Sequence, residues 1–233
     1  GTRAPVTRLS KTYRQRSDRE NKEQRMTESI DLFEAIDTQR GIRRFKPDPV
    51  PDELITRLVQ AAIKAPSGGV RQGWSFIVIR DQDTKDRIGQ LYRTGDRFSI
   101  TPELTGQVRR VYGAAQYLED HMEDVPAFML ACIQANPDGS YSAASIFPAV
   151  QNILLAARGL GLGCCLTTRQ TRFEKDIKEL LNIPDDVATA ALLPLGFPAE
   201  GVGYGPTRRR ALEEVAFDGL WGNGWQLPES SQS

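Results

Sequence analysis

A single histidine, His121, serves the whole 233-residue chain. A zinc centre or a Ser-His-Asp triad would depend wholly on it, and its acidic, helix-patterned surroundings favour a solvated helix residue instead. The three cysteines, Cys132, Cys164 and Cys165, form neither a C-x-x-C pair nor an even framework. All three lie in apolar runs, as buried free thiols of a reducing compartment do. Neither sign of charge prevails, with 30 basic residues against 30 acidic ones. That balance argues against a general nucleic-acid or anionic-membrane binder but leaves room for a local basic pocket. The sequence has no apolar run of the ~18 residues a membrane span needs, and no apolar signal-peptide core opens it. The expectation is a cytoplasmic protein without a metal site.

What is present is an intermixed series of helix and strand patterns with no internal repeat, which defines an α+β or α/β class. Residues 1–25 are highly charged with hardly any apolar stripe, so they are expected to stand outside the core as an extension. Met26 is a plausible native start, and 26–233 is expected to form one domain. Ser29 to Thr38 reads as a short amphipathic helix with Ser29 as N-cap. A helix beginning near Asp52 carries Leu54, Ile55, Leu58, Val59, Ala62 and Ile63 as one stripe. Trp74–Ile79, Pro126–Ile133, Leu162–Thr168 and Val187–Phe197 read as strands. Helical spacing recurs over Asp83–Tyr92, through about Met122, over Ser145–Leu160 and over Arg172–Leu181. The stretch 93–105 is the most loop-like interior segment, a candidate lid. Phe98, Tyr112 and Tyr117 either face a flat substrate there or pack beside the core.

Three stretches carry candidate chemistry. Ala65-Pro66-Ser67-Gly68-Gly69-Val70-Arg71-Gln72-Gly73-Trp74 joins a helix pattern to a strand pattern. It is either an ordinary loop or a turn whose small residues let backbone N–H groups approach a flat or anionic ligand. Arg40-Gly41-Ile42-Arg43-Arg44-Phe45 follows a helix end. It is a solvated basic turn or an anion pocket, in which Arg40 and Arg43 converge on one phosphate. Arg208-Arg209-Arg210 is a second arginine cluster near a Gly/Pro turn. Gly159-Leu160-Gly161-Leu162-Gly163 follows a helix and precedes a strand, the reverse of a dinucleotide loop, so Gly161 or Gly163 is read as a helix stop.

Taken in order, Arg40–Phe45, Ala65-Pro66-Ser67, Ser145–Gly163, and Gly196-Phe197-Pro198 with Arg208–Arg210 resemble the FMN-dependent nitroreductase superfamily. The resemblance runs over roughly 30–220. Ala65-Pro66-Ser67-Gly68 is most similar to the iodotyrosine deiodinase and flavin-destructase branches. Classical nitroreductases more often have Asn where Val70 stands and Pro where Gly73 stands, and the usual first motif has Arg and Ser where this chain has Gln39 and Gly41. The resemblance implies a nitroreductase-like α+β fold, with a central mixed, mainly antiparallel sheet flanked by helices, in a homodimer that shares its domains and its FMN. It places Arg40, Gly41 and Arg43 on the FMN phosphate and ribityl chain, with Arg208 and Arg209 completing the phosphate site. It places Pro66, Ser67, Gly68 and Gln72 against the flavin, the loop coming from the partner subunit. Thr167 and Thr168 fall near the flavin N5 edge, with Thr167 as the catalytic group, a hydroxyl that would favour one-electron steps. The implied activity is ping-pong reduction of an electron-poor small molecule by NAD(P)H. A reductive dehalogenase, a flavin-fragmenting enzyme and a non-catalytic FMN-binding protein are the alternatives.

Overall fold

The computed structural model describes residues 30–94 and 100–226. Its centre is an antiparallel sheet of four strands, β1 (Trp74–Ile79), β2 (Ala127–Gln134), β3 (Gly163–Cys164) and β4 (Val187–Gly196), in the order β1-β2-β4-β3. Around it stand α1 (Leu32–Thr38), α2 (Asp52–Ala62), α3 (Gln82–Arg93), α4 (Gly106–Asp120), α5 (Ala143–Gly159) and α6 (Glu174–Leu181). The 1–25 extension, Met26, Ser29 and Phe98 lie outside the described residues.

β2 and β4 are covered on both faces, which is why their sequences are continuous apolar runs rather than alternating ones. Ala127, Met129, Ala131 and Ile133 point into one core with α2 and α5. Phe128, Leu130 and Cys132 point into a second core with Ile88, Tyr92, Leu118 and Ile177. A bulge interrupts the pairing where Ala131 faces Ala191 and Cys132 faces Thr189, so that Ala190 is the extra residue. The bulge resets the period of two. Ala190 and Ala191, though consecutive, both join the first core.

Several element ends differ from the sequence expectation. α1 starts at Leu32 and is capped by Asp31, whose Oδ1 accepts from the Phe33 and Glu34 amides at 2.8 and 3.3 Å. α6 starts at Glu174 because Arg169–Phe173 forms a 3₁₀ turn. His121 is the half-buried C-cap of α4, stacked on Tyr117 at 4.0 Å, rather than a solvated helix residue. The strand expected over Leu162–Thr168 shrinks to Gly163–Cys164, with one further bridge from Thr167 to Leu192 in the same register. The gap has a covalent cause. Pro194 stands where Cys165 would pair, and proline has no N–H to give.

Of the two candidate helix stops, Gly161 is the one. It adopts φ +73. The Leu162 amide donates to the Ala157 carbonyl at 2.8 Å and the Gly161 amide to that of Arg158 at 3.2 Å, the paired closure of a left-handed cap. Gly163 has a different task. It faces Gly196 across β3 and β4, and the space left by the two absent side chains holds Ile42 and Phe45. A Cβ on Gly163 would stand 2.6 Å from Ile42 Cγ2, and one on Gly196 would stand 3.0 Å from Phe45 Cβ. The segment 41–46 is thereby strapped to the sheet edge. Gly41 makes a parallel bridge to Cys164, which supplies the mixed character, and Lys46 donates to the Phe197 carbonyl at 2.8 Å. Gly163→Ala is expected to lower stability by about 1–3 kcal/mol, the usual effect of overpacking, read as a fall in the urea midpoint.

Candidate functional site

The strap sets the position of Arg43. Ile42 donates to the Cys164 carbonyl at 3.1 Å, which holds Arg43 beside the continuation of β3. There Arg43, Tyr92, Leu118, Glu119, Thr167 and Thr168 are among the residues lining a cavity of about 330 Å³. The size falls within the range of small-molecule sites, roughly 300–1,000 Å³. Three expected site residues therefore meet from two distant segments, Arg43 with Thr167 and Thr168. Gly41 opens the same strap and Arg40 immediately precedes it, both exposed. The Arg43 guanidinium folds back over Gly41, with Nη1 3.0 Å from where a Cβ would be. Gly41 thus gives the arginine room that a serine would take.

Thr167 is fixed through its backbone. Its amide donates to the Leu192 carbonyl at 3.0 Å, and its carbonyl accepts from the Leu192 amide at 2.9 Å. Its hydroxyl lies 3.1 Å from the phenol of Tyr92. Burial raises the Tyr92 phenol well above the ordinary tyrosine range, so it stays protonated. Burial also raises the Cys165 thiol to about 11, as it does Cys132. The free cysteines are inert packing groups, as expected.

The cavity wall holds a buried ion pair, Arg169 Nε to Glu119 Oε1 at 3.3 Å, with side chains 8% and 4% exposed. Arg169 also donates to the Tyr92 carbonyl at 3.3 Å. Neither Glu119, Arg169 nor Tyr92 was marked by the sequence. Each occupies a helix or loop position that any polar or core residue could hold. Tyr117, one of the two expected roles for which was substrate contact, packs between groups of its own chain, with the Arg44 guanidinium 3.7 Å above its ring and His121 on it.

The Pro66–Gln72 loop is elsewhere. Ser67, Gly68 and Arg71 line a separate cavity of about 580 Å³ with Asn136, Ser142 and Ser145. The buried Ser145 hydroxyl accepts from the Gly68 amide at 3.2 Å, and the Ser67 hydroxyl accepts from the Gln72 amide at 2.9 Å. Gly69, Val70 and Gln72 all have left-handed backbones, φ +61, +55 and +48. For the β-branched Val70 this conformation costs on the order of 1–3 kcal/mol. Arg208 and Arg209 are exposed on the arm after β4. Arg209 donates to the Arg208 carbonyl at 3.2 Å. The arm returns to the first arginine segment at several points: the Ala199 amide donates to the Arg44 carbonyl at 3.1 Å, Phe45 bridges Pro198, and the Gly205 amide donates to the Thr38 carbonyl at 3.0 Å, two residues before Arg40. One chain thus joins the arginine-bearing segments by their backbones and leaves the Pro66–Gln72 loop at a second cavity.

The chain belongs to the nitroreductase family, whose model matches residues 36–197. A protein of Methanothermobacter thermautotrophicus, provisionally named NADH dehydrogenase/NAD(P)H nitroreductase, is 33% identical over 181 residues, covering 75% of this chain and 81% of that one. The iodotyrosine deiodinase of Nematostella vectensis is 25% identical over 203 residues, covering 83% of this chain and 76% of that one. Among solved structures, oxidised iodotyrosine deiodinase bound to FMN and 3-iodo-L-tyrosine matches 82% of this chain and 99% of that one, with TM-score 0.63 and 23% identity. The NADPH:FMN oxidoreductase from Vibrio harveyi complexed with NAD+ matches 86% of this chain and 80% of that one, with TM-score 0.61 and 20% identity. These likenesses establish the nitroreductase-like α+β fold and an oxidoreductase family.

Proposed function

We propose that the chain is an FMN-dependent oxidoreductase that reduces an electron-poor small molecule, such as a nitroaromatic, quinone or enone, with NAD(P)H in a ping-pong cycle. The carrying observation is the cavity in which Arg43 meets Thr167 and Thr168. Its donor set suits FMN. A guanidinium gives a forked, charge-assisted contact to a phosphate or ribityl oxygen, and the threonine hydroxyls offer donors to ring heteroatoms. When bound, FMN supplies the hydride acceptance from the nicotinamide and the onward delivery of electrons. The protein's part is to hold and orient: Arg40 before the strap, Gly41 and Arg43 from it, Arg208 and Arg209 from the arm, and Thr167 and Thr168 at the ring edge. No general-base histidine is needed, which suits a chain whose one histidine is stacked in a packing role.

The site is completed in this reading by a second copy, whose Pro66, Ser67, Gly68 and Gln72 cover the flavin. Two features support a twofold assembly. The Pro66–Gln72 loop lies away from the Arg43 cavity within one chain. Apolar side chains are left in water as well: Phe33 is 70% exposed on α1, and Trp221 is 92% exposed on the arm. Kinship to iodotyrosine deiodinases favours one second reading, reductive dehalogenation, which product analysis with a halotyrosine decides.

The test is the absorbance spectrum of the purified protein before and after anaerobic NADPH or NADH, with light scattering on the same sample. The expected result is a yellow protein with about one FMN per subunit, bleached by the nicotinamide and recoloured by a nitroaromatic, at twice the 25.9 kDa chain mass. Bound flavin that no nicotinamide reduces would leave a binding protein in place of an enzyme. A flavin-loaded monomer would remove the shared site.

A further inference from the structure

The segments that bear the two arginine clusters are held together at one point by the side chain of Arg158. Arg158 stands in the last turn of α5, where the helix dipole favours a cation. Its side chain is 15% exposed. In the plane of the guanidinium, Nε donates to Thr38 Oγ1 at 2.7 Å and Nη2 to Glu34 Oε1 at 3.1 Å. The face of the same plane lies over the Tyr204 ring, with Cζ 4.2 Å from its centroid. Thr38 closes α1 just before Arg40, and Tyr204 lies on the arm just before Arg208. The Thr38 carbonyl accepts from the Gly205 amide at 3.0 Å. Its hydroxyl donates to the Glu34 carbonyl at 2.6 Å. With its one proton used inside α1, that hydroxyl has lone pairs left for Arg158. Tyr204 is held by its ring. Its hydroxyl is buried and has no hydrogen-bond partner among the described residues.

We infer that Arg158 is a positioning residue for the phosphate site, which clamps Thr38 and Tyr204 together and so sets the spacing at which Arg40 and the Arg208–Arg209 pair converge on one dianion. It acts through Thr38 and Tyr204 rather than on the ligand. The ligand it serves rests on the FMN function proposed above. The task suits arginine, whose planar fork donates to two acceptors while its face stacks on a ring. A lysine ammonium cannot do both. The consequence is a specificity. Two arginine clusters already held at a fixed spacing favour a flavin that carries a phosphate over one that does not, because binding then requires no further ordering of the arm. Without the clamp the same arginines remain, but the arm must be ordered when the phosphate binds. Thr167, at the ring edge, is fixed by Leu192 instead, so contacts to the ring do not depend on Arg158.

Two experiments on the full chain test this, and they separate its failure from that of the proposed function. In the first, Kd is measured for FMN and for riboflavin, the same ring and ribityl chain without the phosphate. Wild type is expected to bind FMN more tightly. Arg158→Met should lower the riboflavin-to-FMN ratio of Kd values by about tenfold, the scale of one hydrogen bond to a charged group, with the riboflavin Kd little changed. Arg158→Lys should restore only part of the ratio. Tyr204→Phe should keep it, since the ring still takes the cation, and Tyr204→Leu should lower it. A loss of packing alone would weaken both ligands together, and an unchanged ratio in Arg158→Met overturns the inference. A wild type that binds neither flavin, or both equally, overturns the proposed phosphate site instead. The second experiment needs no ligand and decides the clamp in that case too. Amide hydrogen exchange over 199–207, which includes the Gly205 bond to Thr38, should be about fivefold faster in Arg158→Met, the weight of one cation–ring contact. Exchange in β2 and β4 should stay as in wild type. Unchanged exchange over 199–207 would show that Arg158 does not hold the arm. Faster exchange throughout the sheet would show that it supports the whole fold and positions nothing in particular.

Discussion

Glu119→Ala is expected to lower the stability of the folded chain by about 3–5 kcal/mol, the usual consequence of removing one member of a buried ion pair. Glu119 and Arg169 are almost fully enclosed at 3.3 Å, so truncation removes a carboxylate from ion-pair distance of a buried guanidinium. The measurement is the urea midpoint at constant m. The double variant Glu119→Leu/Arg169→Leu separates this penalty from any net contribution of the pair. Because a buried pair must offset the desolvation of both ions, the double variant should recover most of the loss. If Glu119→Ala and the double variant are equally unstable, the cost lies in packing. The pair adjoins Tyr92, with Arg169 holding its carbonyl at 3.3 Å. Glu119→Ala is therefore also expected to loosen the wall that carries Thr167.

Arg43→Ala is expected to weaken FMN binding by about 2–5 kcal/mol, the range for truncating one partner of a desolvated charge pair. That corresponds to a rise in Kd of about 30-fold to several thousandfold. Fluorescence quenching of titrated FMN reads it directly. Arg43→Lys should recover little, since an ammonium has no planar fork for a phosphate or ribityl oxygen. Arg209→Ala tests the arm. In one chain its guanidinium donates to the neighbouring Arg208 carbonyl, and it reaches the phosphate only if the arm closes on the site. An unchanged Kd for Arg209→Ala, beside a weakened Arg43→Ala, would take the arm out of the cofactor site and leave the strap in it.

Much of this was legible in the residues. The six-residue β1, the long α5 and the buried β2 and β4 follow from apolar period and from Gly and Pro punctuation, which act over a few neighbouring residues. The arginine of the strap and the two threonines could be picked out as polar groups set at the ends of apolar segments. Tyr92 and Ser145 could not. A tyrosine on a helix stripe reads as core, and a serine near a helix start reads as a cap. Yet the Tyr92 phenol reaches Thr167, 75 positions away in the chain, and Ser145 reaches the Gly68 amide, 77 away.

By itself the sequence determined the class of the fold, the identity of its core strands and the free state of its cysteines, because each depends on composition or on local periodicity. Tertiary structure decided which of the polar residues meet. Pro194 stops the ladder beside Cys165, and the bridge resumes at Thr167. Two facing glycines admit Ile42 and Phe45, and so bring Arg43 to the same place. Neither event has a local signature, since a missing N–H and a missing Cβ matter only for the partner that the fold sets opposite them.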